Sequence, residues 1–221
     1  MASSIEADFS GRTFVLDSDL ALYWPAQETL IVSDLHLEKA TFFAQFGSSL
    51  APYDTLDTLV RLDKLVCRYA PKTLILLGDS FHDKHGWARL PFGAQHHLLN
   101  IAASVERCVF VEGNHDPASV AHPRLSYAAE VVIDGLSFRH EPAPGDALQV
   151  VGHFHPKTRL TVKGYRVSGK CFAINTGIMI LPSFGSLTGG LDLSHEAFAP
   201  FAQSPWRSYL VYKTTIVPAR R

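Results

Sequence analysis

The chain has 221 residues, of which 47% are hydrophobic and 19% charged; this balance excludes disorder and allows a folded domain with a large core. A formal net charge of −1 excludes a global basic field, so attraction for a phosphate has to come from bound metal or a small basic patch. No apolar run reaches the roughly eighteen residues of a membrane-spanning helix, which excludes such a span.

In chain order, the first residues carry Glu6 and Asp8 and lack the apolar core of a signal peptide. Strands are expected over 13–16 and 29–32. A helix is expected over 55–69, where Leu59, Leu62, Val66 and Tyr69 share one face and Asp54 stands in position to cap the start. A strand over 73–77 precedes a second helix at roughly 92–104, with Leu98, Leu99, Ile101 and Ala102 as its apolar content. Further strands are expected over 108–111, 131–133, 136–139, 149–151, 171–174, 178–181 and 209–216. A hairpin over 160–167 turns at Lys163-Gly164. The first half alternates strand and helix while the second is nearly all strand, a pattern for stacked sheets with helices on the outer faces. No repeat or linker divides the chain, so one domain over 1–221 is expected. The three cysteines, Cys67, Cys108 and Cys171, form no CxxC pair, which argues against a thiolate metal site. Each reads as a small buried apolar residue suited to a reducing cytoplasm.

Polar residues with metal-binding chemistry follow five of the expected strands. Asp34-Leu35-His36 comes after 29–32; in an extended segment residues two apart project to one side, so this carboxylate and imidazole are expected to reach one ion. Gly78-Asp79 follows 73–77, and Gly113-Asn114-His115-Asp116 follows 108–111. His140 ends 136–139, and Gly152-His153-Phe154-His155 follows 149–151. Each piece alone has an ordinary explanation as a turn or an incidental pair. The ordered set does not, because successive strand ends would bring Asp34, His36, Asp79, Asn114, His140, His153 and His155 to one edge. Oxygen and nitrogen donors of this kind suit first-row transition metals. Their number exceeds what one ion needs, so two ions roughly 3.5–4 Å apart with a shared ligand are implied.

These five motifs resemble the calcineurin-like metallophosphoesterase superfamily over roughly residues 29–182. The resemblance implies an α+β fold, a four-layer α/β/β/α double β-sandwich flanked by helices. It places one metal on Asp34, His36, Asp79 and His155 and the second on Asp79, Asn114, His140 and His153, with Asp79 bridging. His115 matches the superfamily's catalytic histidine. Two divalent ions would bring four positive charges against two from Asp34 and Asp79, leaving a potential that attracts phosphate and acidifies a water. His115 is then expected to protonate the leaving oxygen or stabilise the phosphoryl oxygens, with Asp116 raising its pKa and fixing its orientation.

The stretch Gly78-Asp79-Ser80-Phe81-His82-Asp83 resembles one in the nuclease subunit of the double-strand-break repair complex and its bacterial SbcD relatives. In those nucleases the histidine at this place lies near the substrate phosphate, which makes His82 a further candidate. Residues 34–39 (DLHLEK), Pro52-Tyr53-Asp54, Cys171-Phe172 and 181–190 (LPSFGSLTGG) extend the similarity, over nearly the full length, to the bacterial ligase-associated DNA damage response endonucleases of the PdeM type. Ala51 stands where a second proline is expected. Members of that family are encoded beside a helicase, an ATP-dependent DNA ligase and an exonuclease. The resemblance therefore implies a phosphodiester substrate in DNA, manganese as the ion, and functional association with those repair proteins. An N/O site also accepts iron, zinc or cobalt. A nucleotide, cyclic-nucleotide or phosphomonoester hydrolase and a non-catalytic scaffold of the same fold are the alternatives.

Lys157, Arg159, Lys163, Arg166 and Lys170 fall in one stretch without an acid, either flanking the site to neutralise phosphates or forming a solvated hairpin. Lys39 is either a phosphate contact or a surface lysine, and 184–190 is a tight loop near the mouth. Asp83, His85, His96, His97, His122 and His195 read as surface or structural residues, and Arg220-Arg221 as a frayed tail.

Overall fold

A computed structural model describes residues 3–47, 53–116, 125–145, 147–162 and 164–219. The chain begins as an antiparallel meander, β1 (Ser4–Phe9), β2 (Arg12–Asp17) and β3 (Ala21–Trp24), and continues into β4 (Thr29–Ser33). Two helices follow, α1 (Lys39–Ala44) and α2 (Asp54–Tyr69), then β5 (Thr73–Leu77). The short α3 (Gly86–Arg89) and α4 (Phe92–Ala103) lead to β6 (Arg107–Val111) and β7 (Ser126–Ala128). Strands β4 to β7 run parallel, with helices in the connections from β4 to β5 and from β5 to β6, and complete a sheet in the order β1-β2-β3-β4-β5-β6-β7.

The second half builds the other sheet from β8 (Val131–Ile133), β9 (Leu136–Arg139), β10 (Gln149–Val151), β11 (Pro156–Val162), β12 (Tyr165–Ile174), β13 (Ile178–Ile180) and β14 (Leu191–Asp192). The hairpin β15 (Arg207–Tyr212) and β16 (Thr215–Ala219) pairs onto β12. Within this sheet β9, β10 and β13 are parallel neighbours. Parallel strands share one carboxyl-terminal edge, which is where open α/β sheets place ligands.

Alternation along the strands divides the apolar side chains among three layers, because successive residues face opposite sides of a pleated sheet. Leu30 and Val32 of β4, Leu74 and Leu76 of β5, and Phe110 of β6 meet Leu59, Leu62 and Val66 of α2 and Leu98 and Ile101 of α4. Their neighbours Ile31, Ile75, Leu77, Val109 and Val111 face the second sheet, where they pack on Phe138, Val150, Phe172, Ile174 and Met179. On the far side of that sheet Val151, Cys171, Ala173 and Ile180 lie under Leu193 and Phe198. The double sandwich is therefore as expected, with α-helices over the first sheet. Over the second sheet, among the described residues, the covering helix is a 3-10 segment, Glu196–Phe201.

Several sequence expectations are corrected. Asp54 is the first helical residue of α2 rather than a side-chain cap; it is buried, and its Oδ2 accepts the Ala40 N–H at 3.1 Å, tying α1 to α2. Cys67 lies exposed on α2, so only Cys108 and Cys171 are buried. The strand expected over 209–216 is two strands around a turn, with Lys213 at φ +55. Strands β1, β3 and β7 escaped notice because they are short or carry polar residues at alternate positions. Ala51, Pro52, His122, Lys163, Arg220 and Arg221 lie outside the described residues.

Phe172 is fully buried between the sheets. Phe172→Ala is expected to lower the unfolding free energy by about 3–5 kcal/mol. Val132→Ala, at a 62% exposed position of β8, should change it by less than about 0.5 kcal/mol. Urea melts of the two variants check the difference.

Candidate metal centre

Asp34 follows β4, Asp79 follows β5, Asn114 follows β6, His140 follows β9, and His153 and His155 follow β10. All these strands lie in parallel ladders, so the five loops leave the two sheets at one rim. The side chains converge there. His155 Nε2 lies 3.1 Å from Asp34 Oδ1 and 3.4 Å from His36 Nε2. His140 Nε2 lies 3.0 Å from Asn114 Oδ1 and 3.2 Å from His153 Nδ1. Asp79 Oδ2 stands between the two sets, 3.7 Å from His36 Nε2 and 3.4 Å from His140 Nε2.

The way these residues reach one another differs from the extended geometry expected of D-x-H and H-x-H. Asp34, His36, Asp79, His153 and His155 all have positive φ, between +45 and +67. Left-handed backbone is costly for residues with a Cβ and persists where surrounding contacts enforce it, commonly at functional sites. The enforcing contacts are visible. The N–H groups of Asp34 and His36 donate to the carbonyls of Gly78 and Asp79 at 3.1 and 2.9 Å. The His153 N–H reaches both oxygens of Asp34 at 3.2 Å, and the His115 N–H reaches Asp79 Oδ1 at 3.0 Å. Two glycines make room for these side chains. Gly78 has φ +75, and a Cβ there would run into the His140 ring; one on Gly152 would run into Ser33 Oγ and Asp34 Oδ2.

Burial alone would protonate the two carboxylates, yet both are held below the ordinary carboxylate range. For Asp34 the opposing influences are His155 and His140, helped by the Ser33 hydroxyl on Oδ2. For Asp79, brought to about 2, they are His140 and the His115 N–H. His140 is raised to about 9, because Asp79 and Asp34 outweigh its burial. His36 drops to about 3, chiefly through burial. His140 Nδ1 faces the Leu77 carbonyl at 3.4 Å, so Nε2 is the ring nitrogen turned toward Asp79, Asn114 and His153.

The donor set fits divalent cations. Two carboxylates that are 0% and 3% exposed stand among imidazole nitrogens only 3.2–3.4 Å apart. Each imidazole pair can share one hydrogen bond at this spacing, and the spacing is also that of ligand atoms around an ion, which sit roughly 3 Å apart when the bonds are about 2.1 Å. Asp34 with His36 and His155, and Asp34 with Asp79 and His140, each form a group close enough to share an ion.

His115 and Asn114 are exposed at the rim, so the His115 ring is open to a substrate. His82 stacks on it at 5.7 Å with 10° between the planes, and meets His36 Nδ1 at 3.5 Å. Phe42 lies behind His82 at 4.8 Å. Burial, then the charges of Lys39 and His115, bring His82 down to about 4. Lys39 is accordingly a half-buried lysine whose charge is felt at the rim. Asp116 does not act on the His115 ring as expected. Its Oδ1 accepts the Phe81 N–H and its Oδ2 the Gly113 N–H, both at 3.0 Å, so both oxygens are committed to clasping the β5 and β6 loops together. Burial raises this carboxyl to about 6, with those two N–H groups opposing. Asp83 pairs with Arg89, His97 approaches Asp63, and His195 caps the 3-10 segment, all structural roles.

Three supports were missed in the sequence. Glu38 is 2% exposed; its oxygens accept from Thr55 and Thr41, fixing the start of α1 on α2. Glu141 approaches His153. Lys170, grouped with the basic stretch, turns inward instead: its ammonium donates to the carbonyls of Ser183 and Gly185 and to Thr188 Oγ1 at 2.6–2.9 Å. It is unavailable to phosphate and holds the 183–188 loop, whose Phe184 and Gly185 N–H groups bond the carbonyls of Ser33 and Asp34. Arg159 pairs with Asp192.

Burial, with Arg61 and Lys157 nearby, brings the Lys170 amine from its ordinary 10.5 to about 7. Between those values only the unfolded chain retains the proton, so folding stability should rise with pH through that window. Lys170→Met removes this proton. The stability of the wild type relative to that variant is expected to climb from pH 7 to pH 10 in urea melts, and parallel profiles would contradict the depressed amine.

Comparisons with known proteins agree with this arrangement. Residues 28–180 match the model of the calcineurin-like phosphoesterase family. Among solved structures, a nuclease named MPE from Pseudomonas putida superposes with a TM-score of 0.76 at 28% identity, covering 98% of this chain and 100% of that one. Yfce, a phosphoesterase from E. coli, gives a TM-score of 0.45 at 16% identity over 86% of this chain and 96% of that one, too weak a likeness to bear on the site. A search of curated proteins finds no match by sequence. With the family model spanning well over half its length, the chain belongs to the calcineurin-like phosphoesterase family and is a metal-dependent hydrolase.

Proposed function

We propose that the protein is a phosphodiesterase that cleaves DNA with two divalent cations, manganese foremost. The observation that carries this reading is the position of Asp79 Oδ2 between two sets of donors, 3.7 Å from His36 Nε2 and 3.4 Å from His140 Nε2. On this reading Asp34, His36, Asp79 and His155 hold one ion, and Asp79, Asn114, His140 and His153 the other. The nuclease that superposes over the full chain supports a nucleic-acid substrate. The motif resemblance to ligase-associated repair endonucleases supports DNA repair beside a DNA ligase, a helicase and an exonuclease, in one cytoplasmic domain. No helix among the described residues is long and apolar enough to cross a membrane.

When bound, the ion pair supplies positive charge to the phosphoryl oxygens and acidifies a water. The chain's own residues do the rest. Asp79 is fixed by the His115 N–H on Oδ1, so its other oxygen is free to face both donor sets. His115 presents its exposed ring at the rim, where it delivers a proton to the departing alkoxide. His82 stacks flat against His115 and limits its rotation, and Phe42 backs His82. Lys39 adds positive potential where the phosphate chain enters. Asp116 locks the loop that carries Asn114 and His115.

The test is hydrolysis of bis-p-nitrophenyl phosphate and of single-stranded DNA with manganese. Asp79→Ala is expected to abolish turnover, and His115→Ala to lower kcat by about 10²–10⁴. Equal activity in wild type and both variants would refute the reading. A phosphomonoesterase rate far above the diesterase rate would move the substrate to nucleotides or other monoesters, and metal analysis that finds no tightly held pair of ions would favour a scaffold.

A further inference from the structure

Glu141, directly after His140, belongs to no ligand set derived above. Its carboxylate Oε1 lies 3.7 Å from His153 Nδ1. His140, Glu141 and His153 each offer a ligand atom within 4.8 Å of the others. Glu141 also lines a cavity of about 250 Å³ with Asn114 and His140.

Three features distinguish this contact from an ordinary surface carboxylate. First, 3.7 Å is too long for a hydrogen bond from His153 Nδ1, so Glu141 is not simply orienting that ring. Nδ1 is also the nitrogen that faces His140 Nε2, at 3.2 Å, and so points into the centre. Second, among the described residues no lysine or arginine pairs with Glu141. The adjacent Arg139 pairs with Glu130 at 3.1 Å, and among the described residues only His153 approaches the Glu141 carboxylate. Third, the two halves of the centre are unequal without it. One half has Asp34 besides the shared Asp79; the other has Asn114, a neutral amide, and two imidazoles. A second carboxylate equalises them, and hard divalent ions favour anionic oxygen.

Resting on the two-ion reading, we propose that Glu141 is a further ligand of the ion held by Asn114, His140 and His153, closing the side of that half that faces the cavity. The Glu141 side chain is 55% exposed, which leaves it room to turn toward that ion.

The experiment is a manganese titration of the metal-free full chain, by calorimetry and by electron paramagnetic resonance, which separates an isolated ion from a coupled pair. Wild type is compared with Glu141→Gln and with Glu112→Gln, a carboxylate on the same cavity wall. Thermal melts of the metal-free proteins verify that all three are folded. Wild type is expected to take two ions with a coupled signal. Glu141→Gln should keep the first affinity and weaken the second by tenfold or more, with the coupled signal lost at equal manganese, while Glu112→Gln behaves as wild type. Unchanged binding in Glu141→Gln overturns the proposal and leaves the two-ion reading intact. Equal weakening in both variants, or of both ions in Glu141→Gln, reduces Glu141 to a through-space charge and also overturns it. Fewer than two ions in wild type overturns the two-ion reading itself.

Discussion

Asp34 and Asp79 are carboxylates almost without access to water, fixed at the ends of adjacent parallel strands, and the rest of the molecule is arranged around holding them there. Removing an ionised carboxylate from water costs several kcal/mol unless charge and hydrogen bonds compensate. Part of the compensation comes from backbone N–H groups, those of His153 on Asp34 and His115 on Asp79. The remainder comes from imidazoles that crowd the same oxygens, and from cations where they bind. The neighbouring loops accept left-handed backbone at five positions to achieve this. Such strain is sustained because each loop is bonded to the next: β4 to β5 through Gly78 and Asp79, and β5 to β6 through Asp116.

Much of the fold was legible in the sequence because buried parallel strands read as short apolar runs. Thr73–Leu77, Val131–Ile133 and Gln149–Val151 have the expected bounds, and the apolar face of α2 follows helical spacing. What escaped notice has a physical cause. In β1 only Ala7 and Phe9 are buried, so its edge-strand pattern has little hydrophobic signal. Asp54 suits a helix cap by residue type, but tertiary contact with Ala40 commits its carboxylate elsewhere. Cys67 sits on the solvent side of α2, which no composition argument could settle.

At the site, the convergence of Asp34, His36, Asp79, Asn114, His140, His153 and His155 was legible because each follows an apolar run. The parallel ladders of both sheets bring those ends together. The means of convergence was not, since left-handed φ at D-x-H and H-x-H depends on contacts from other loops. Asp116 was misjudged through sequence adjacency: lying next to His115 along the chain does not place its carboxylate on the ring, and two backbone N–H groups claim it first. Lys170 was misjudged through charge pattern, because three oxygens 13 to 18 residues further along draw it inward. Glu38 and Glu141 carried no signal beyond following a motif.

On the proposed reading one rim holds two ions across a shared Asp79 carboxylate. Anomalous diffraction from manganese-loaded crystals tests it most directly. Two peaks roughly 3.5–4 Å apart with an Asp79 oxygen between them are expected. A single peak, or a pair that Asp79 does not touch, would contradict it.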